Sequence, residues 1–245
     1  MLLNGVAVSA NQAGRTYVVT GATPNTAYGP YTVQACSNAG TTCSAASATP
    51  VSVTTSPLAP AAPTATALTA ATLTLNWGTP VTGVTYTVQR ATNAAFTGAV
   101  NSTGTITGAS QAVTGLTGNT TYYFRVTATN AGGSTVGLVS TTGALTLPGI
   151  PAGVSAANGT AGGAITGGLN WTNPTGGAAN YTVSWSGPVV AGVNQATNTG
   201  SATATSGGQV TIAGATANQV YAMTVKANNA SGSSAATTAV NVTVR

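Results

Sequence analysis

Gly115-Leu116-Thr117-Gly118-Asn119-Thr120-Thr121-Tyr122-Tyr123-Phe124-Arg125-Val126-Thr127-Ala128-Thr129-Asn130-Ala131-Gly132 is the stretch of this chain that decides its fold. From Tyr122 every second residue is apolar: Tyr122, Phe124, Val126 and Ala128. That period of two belongs to a strand with one face on a core and the other toward water. Turn-forming residues bound it on both sides. A second copy reads Gly214-Ala-Thr-Ala-Asn218-Gln-Val-Tyr221-Ala-Met223-Thr-Val225-Lys226-Ala227-Asn-Asn229-Ala-Ser-Gly232. A third, nearer the start, is Gly21-Ala-Thr-Pro24-Asn25-Thr-Ala-Tyr28, followed by Tyr31, Val33 and Ala35 after one inserted residue, with a turn expected at Asn38-Ala39-Gly40. The step from Gly to Tyr is seven residues in all three.

The repeat extends upstream in two of the copies. Leu73-Thr-Leu75-Asn-Trp77-Gly-Thr-Pro80 is matched by Leu169-Asn-Trp171-Thr-Asn-Pro174, with the tryptophans 94 residues apart. Tyr86-Thr-Val88-Gln-Arg90 is then matched by Tyr181-Thr-Val183-Ser-Trp185, again with strand alternation. A long-period repeat of this kind marks an array of similar units.

Taken together, these residues closely resemble the fibronectin type III module: a tryptophan on the second strand followed by proline, a Gly-Leu-x-Pro-x-Thr-x-Tyr corner, then an alternating strand that ends in an Asn-x-x-Gly turn. Ala22 and Ala215 depart from the corner leucine, and Gly118 from the corner proline. The resemblance implies an all-β chain of tandem, Ig-like antiparallel sandwiches. Two modules, near 57–147 and 148–245, would be complete; residues 1–56 would be only the C-terminal half of one. Trp77 and Trp171 would then fill the two core centres, and Tyr28, Tyr122 and Tyr221 would be corner tyrosines whose hydroxyls bond back to nearby backbone. Linkers fall at Pro57-Leu-Ala-Pro60-Ala-Ala-Pro63 and Pro148-Gly-Ile-Pro151, where closely spaced prolines stiffen the connection.

Composition says what such a chain does not do. It contains no Asp, Glu or His, and its whole charge inventory is Arg15, Arg90, Arg125, Lys226 and Arg245. General acid–base catalysis draws mainly on the three missing residue types. Metal sites draw on them as well, and two cysteines alone do not complete a four-ligand zinc site. No enzyme activity, no cofactor and no metal site are therefore expected. The five positive charges are scattered, whereas nucleic-acid binding needs them clustered. No apolar run of about 18 residues offers a membrane span. The first residues, MLLNGVAVSANQAG, lack the basic and apolar regions of a secretory signal, so they are expected to belong to a longer precursor. Without carboxylates almost no side chain titrates between roughly pH 4 and pH 9, which predicts tolerance to acid.

The remaining candidates are few. Cys36 and Cys43 flank a short turn and are expected to form a disulfide, the alternative being two free buried thiols; a bridge would point to an oxidising, extracellular or cell-surface location. Trp185 stands where the preceding copy has Arg90, and is either a contact for a sugar or a neighbouring subunit or an extension of the core edge. Lys226 reads as a solvated strand lysine. Seven Asn-x-Ser/Thr sequons are present, several of them arising by chance in so Asn- and Thr-rich a chain.

The half module is the remaining puzzle, because Val18, Tyr31, Val33, Val51 and Val53 have no second sheet of their own to pack on. Either the sequence begins within a longer protein, or another copy supplies the missing strands, a known route to polymers. The expected function is an extracellular structural protein, the tandem-sandwich subunit of a filament, sheath or surface layer, with copies of itself as partners. The alternative is a set of spacer, carbohydrate-binding or cell-contact modules in a larger secreted enzyme or adhesin.

Overall fold

The computed structural model describes residues 2–3, 6–7, 16–37, 42–101, 104–190 and 192–245. Every regular element among them is a β-strand, all paired antiparallel, so the expected all-β class holds.

The middle sandwich is built around the stretch quoted above. Thr121–Asn130 is one continuous strand, with Tyr122, Phe124, Val126 and Ala128 buried and the residues between them half-exposed. It pairs with Thr85–Ala91 in a register that places Val126 opposite Val88 and Ala128 opposite Tyr86. Gly133–Val139, Ala144–Leu145 and Val100–Asn101 complete this sheet. The facing sheet consists of Thr64–Thr66, Leu73–Asn76 and Ser110–Val113. Leu73, Leu75 and Val113 from that sheet meet Val88, Phe124 and Val126 from the other in one buried cluster. Val, Thr and aromatic side chains suit this pleated, half-buried setting. Directly opposed residues share a face, so one register fixes the whole apolar side.

The C-terminal sandwich repeats the design. Ala152–Ala157, Thr166–Thr172 and Gly208–Thr211 form one sheet. Asn180–Val190, Val193–Ala204, Val220–Asn229, Gly232–Ser233 and Val240–Thr243 form the other. Its register is the counterpart of the first: Val225 lies opposite Val183, and Ala227 opposite Tyr181.

Residues before these sandwiches make a single four-stranded sheet, ordered Val6–Ala7, Leu2–Leu3, Ala27–Thr32 and Val51–Thr54. Among the described residues no second sheet lies against it. The extra residue of this copy is taken up by an irregularity in the ladder between Tyr28 and Tyr31. The turn expected at Asn38-Ala39-Gly40 lies outside the described residues.

Candidate interaction surface

In the middle sandwich the face that carries Tyr122, Phe124, Val126 and Ala128 is closed by the opposite sheet. In the N-terminal sheet no second sheet among the described residues covers the corresponding face. Val53 lies opposite Tyr28 and Val51 opposite Tyr31, which puts all four side chains on one side. Val51 is 56% exposed, Val53 50% and Val33 62%. Tyr17, Val18 and Val19, which lie in sequence between the strands Val6–Ala7 and Ala27–Thr32, are exposed as well. A single exposed valine is ordinary; a contiguous apolar sheet face marks a contact site.

The corners place the ends of each unit. Tyr28, Tyr122 and Tyr221 each accept a hydrogen bond at the phenolic oxygen from the backbone N–H five residues earlier. The donors are Thr23 at 2.7 Å, Thr117 at 2.9 Å and Thr216 at 3.4 Å. Hydrogen bonding to Thr23, through its side chain first and its backbone second, holds the Tyr28 phenol below the ordinary tyrosine value. Each corner loop also holds an asparagine with positive φ: Asn25 at 51°, Asn119 at 50° and Asn218 at 62°. Asparagine tolerates this left-handed conformation better than other non-glycine residues.

These asparagines serve a second purpose where two units meet. At the first junction the Asn130 side-chain amide donates to Asn25 Oδ1 and to the Thr55 carbonyl, both at 2.8 Å. The Asn25 amide in turn donates to the Thr82 carbonyl at 3.1 Å. At the second junction the Asn229 amide donates to Asn119 Oδ1 at 3.0 Å and to the Thr146 carbonyl at 2.8 Å. The Asn119 amide donates to the Gly176 carbonyl at 2.9 Å. In both, the oxygen of the donating asparagine is held by a backbone N–H two residues on, from Gly132 or Ser231. The same four-part clasp thus joins the first sheet to the middle sandwich and the middle sandwich to the last. Gly118, which stands where the corner proline was expected, has a reason here. A Cβ on it would lie 3.0 Å from Gly149 N and 3.1 Å from the Leu147 carbonyl. Sequence reading missed the clasp, although its signal was present: the asparagine lies four residues after the corner glycine in all three copies.

The aromatic candidates separate. Trp77 is buried beside Tyr86, with ring centroids 5.7 Å apart. Trp171, expected at a core centre, is only half-buried and packs on Tyr181 at the core margin. The indole N–H groups of Trp77 and Trp171 have no hydrogen-bond partner among the described residues. Trp185 is in the core of the last sandwich, 8% exposed, and its indole N–H donates to Asn198 Oδ1 at 3.1 Å. As a surface contact for a sugar or subunit it is therefore corrected to a core residue. Volume exchange explains the switch. Trp185 lies opposite Met223, whereas in the middle sandwich Arg90 lies opposite Phe124. The ring gains its space from Gly200, directly across the ladder, where a Cβ would come within 2.5 Å of it. Lys226 is exposed on the outer face of its strand.

Cys36 and Cys43 form a disulfide across an antiparallel bridge, with an S–S distance of 2.02 Å. Among the described residues no group of three metal-ligating side chains is present, and no helix is long and apolar enough to cross a membrane.

Residues 58–141, the middle sandwich, match the family model of the fibronectin type III domain. That match covers roughly a third of the chain. No curated protein matches the chain. Among solved structures, the two fibronectin type III domain segment from chicken tenascin is similar, with 17% identity, a TM-score of 0.42, and coverage of 73% of this chain and 95% of that one. The FN1–FN3 domains of chicken CNTN1 are similar at 18% identity and a TM-score of 0.38, covering 76% of this chain and 66% of that one.

Proposed function

We propose that this chain is an extracellular structural protein, a tandem-sandwich subunit that assembles with its own copies into a filament, sheath or surface layer. One observation carries the reading: the N-terminal sheet exposes the apolar face that the middle sandwich buries. Covering that face with strands from another copy removes apolar area from water, at roughly 25 cal/mol per Å². Backbone pairing along the sheet edge adds to the contact. The neutral surface supports it too. Outward strand positions are mostly Thr, Ser, Asn and Gln, with Arg125 and Lys226 among the few charged exceptions, so two copies approach with few ions to desolvate. A head-to-tail contact that does not close on itself generates a filament. The disulfide supports a location outside the reducing cytoplasm.

The asparagine clasps favour a second reading, a spacer that holds other domains of a larger secreted protein apart. Two equivalent junctions, each bonded by side chains of both neighbours, suit a stiff rod. Sedimentation and electron microscopy of the chain alone separate the two. Fibres or large oligomers support the structural reading, and a monodisperse monomer at high concentration removes it in favour of the spacer.

A further inference from the structure

The middle sandwich carries one positive charge that no side chain neutralises and that its neighbours hold in a fixed pose. Arg125 points outward from Thr121–Asn130, on the face away from the core. The sequence has no Asp or Glu, so neither this chain nor a copy of it offers a side-chain carboxylate in return. Gln89 lies directly across the ladder, and its Oε1 accepts from Arg125 Nε at 3.3 Å and from Nη2 at 2.7 Å. Gln89 is itself oriented, because its amide donates to Asn101 Oδ1 at 3.3 Å. The Phe96 ring covers one face of the guanidinium, with its centroid 4.6 Å from Cζ. Phe96 reaches that place from a left-handed backbone, φ 57°, an outlier for so bulky a residue. Asn93 secures the turn. Its carbonyl accepts from Phe96 N–H at 3.1 Å, and its side chain bonds both the N–H and the carbonyl of Thr97. Strained positions of this kind gather at ligand sites, where the surrounding bonds hold them.

A guanidinium presents its N–H donors in a planar fork. Gln89 takes Nε–H and one hydrogen of Nη2, so the end formed by Nη1 and Nη2 has no partner among the described residues. That end matches a carboxylate, which accepts two parallel bonds. We infer that Arg125, held by Gln89 and Phe96, is the binding site for the carboxylate of a uronic-acid sugar. This goes beyond the structural reading above and holds whether or not copies assemble. Two observations favour a sugar over an acidic peptide. Arg125 lies on a strand paired on both sides, with Thr85–Ala91 and with Gly133–Val139, so an extended peptide finds no free backbone edge there. The same face offers neutral hydroxyls and a ring instead, Thr127 opposite Thr87 and the half-exposed Tyr123. The scattered charges also suit one carboxylate rather than a polysulfated chain, which draws on clustered cations.

One bidentate contact supported by neutral groups binds in about the millimolar range. The test titrates the full chain, nitrogen-15 labelled, with a galacturonic-acid trisaccharide to about 20 mM, well above such a constant. The Arg125 Nε–H and Gln89 side-chain amide signals are expected to shift, and a neutral galactose trisaccharide is expected to leave them unmoved. Arg125→Gln is expected to abolish binding. Arg125→Lys keeps the charge but loses the fork, and is expected to weaken binding about tenfold. Phe96→Gly relieves the left-handed strain and removes the ring, and is expected to weaken binding with the sheet signal intact. The Arg125 and Phe96 variants act from opposite sides of the site, so a folding failure in one leaves the other to decide. Unmoved signals in wild type, equal shifts with the neutral sugar, or undiminished binding by Arg125→Gln or Arg125→Lys would overturn the inference. Equal or tighter binding of a glutamate tripeptide would overturn the assignment to a sugar.

Discussion

A tyrosine hydroxyl and a missing side chain show how single residues set this structure. Tyr122 is buried against the core while its oxygen accepts the Thr117 N–H, so it is held at both ends. Tyr122→Phe keeps the ring and removes only that bond; a loss of about 1 kcal/mol from the middle sandwich is expected in chemical denaturation. Gly200 acts through absence, because the Trp185 ring occupies the space a Cβ would need. Gly200→Ala is expected to destabilise the last sandwich by about 1–3 kcal/mol, the usual cost of overpacking, and to shift the fluorescence of Trp185. An unchanged midpoint and spectrum would show that the ring has other room. Tyr122 was legible because its spacing from Gly115 recurs in every copy. The burial of Trp185 was not, since it depends on Met223 and Gly200 across the ladder, which no one-dimensional period reports.

At the scale of elements, the long strand Thr121–Asn130 and its partner were readable almost residue by residue, because alternation alone fixes which side is apolar. Trp171 shows the limit: its motif predicted a core centre, yet Trp185 fills the core and leaves Trp171 half-buried at the margin. The strands Leu2–Leu3 and Val6–Ala7 are too short to show a period. The junctions are set by asparagines that look like ordinary turn residues in sequence. Asn229→Ala removes two bonds between the last two units, to Asn119 and to Thr146. Each such bond is worth about 1 kcal/mol, so the units are expected to tumble more independently while each stays folded. Residual dipolar couplings fitted to one alignment tensor for wild type, and requiring two for the variant, would bear this out. A single tensor for both would assign the junction's stiffness to the prolines instead.

For the whole molecule, the absence of carboxylates and imidazoles has a thermodynamic consequence. Folding stability changes with pH only where the folded and unfolded chains bind different numbers of protons. No side chain here has an ordinary pKa between roughly 4 and 9, the disulfide-bonded cysteines being unable to titrate. The thermal midpoint is therefore expected to stay nearly flat from pH 8 down to about pH 4, with no acid unfolding step; a cooperative loss of sheet signal on acidification would contradict this. At the alkaline end Tyr28 makes one stabilising contribution. Its folded pKa lies below the unfolded value, so its contribution is absent at neutral pH and appears as pH rises through the depressed value.

The central claim is that the open face of the N-terminal sheet is covered by another copy. The most direct measurement is electron microscopy and sedimentation of the wild-type chain beside Val51→Lys/Val53→Lys. These substitutions place charges at two residues exposed on that face while leaving the two complete sandwiches untouched. The account predicts fibres or high-mass species for wild type and a monomer with intact sheet signal for the double variant. A wild-type chain that stays monomeric at high concentration, or a double variant that assembles equally well, would contradict it.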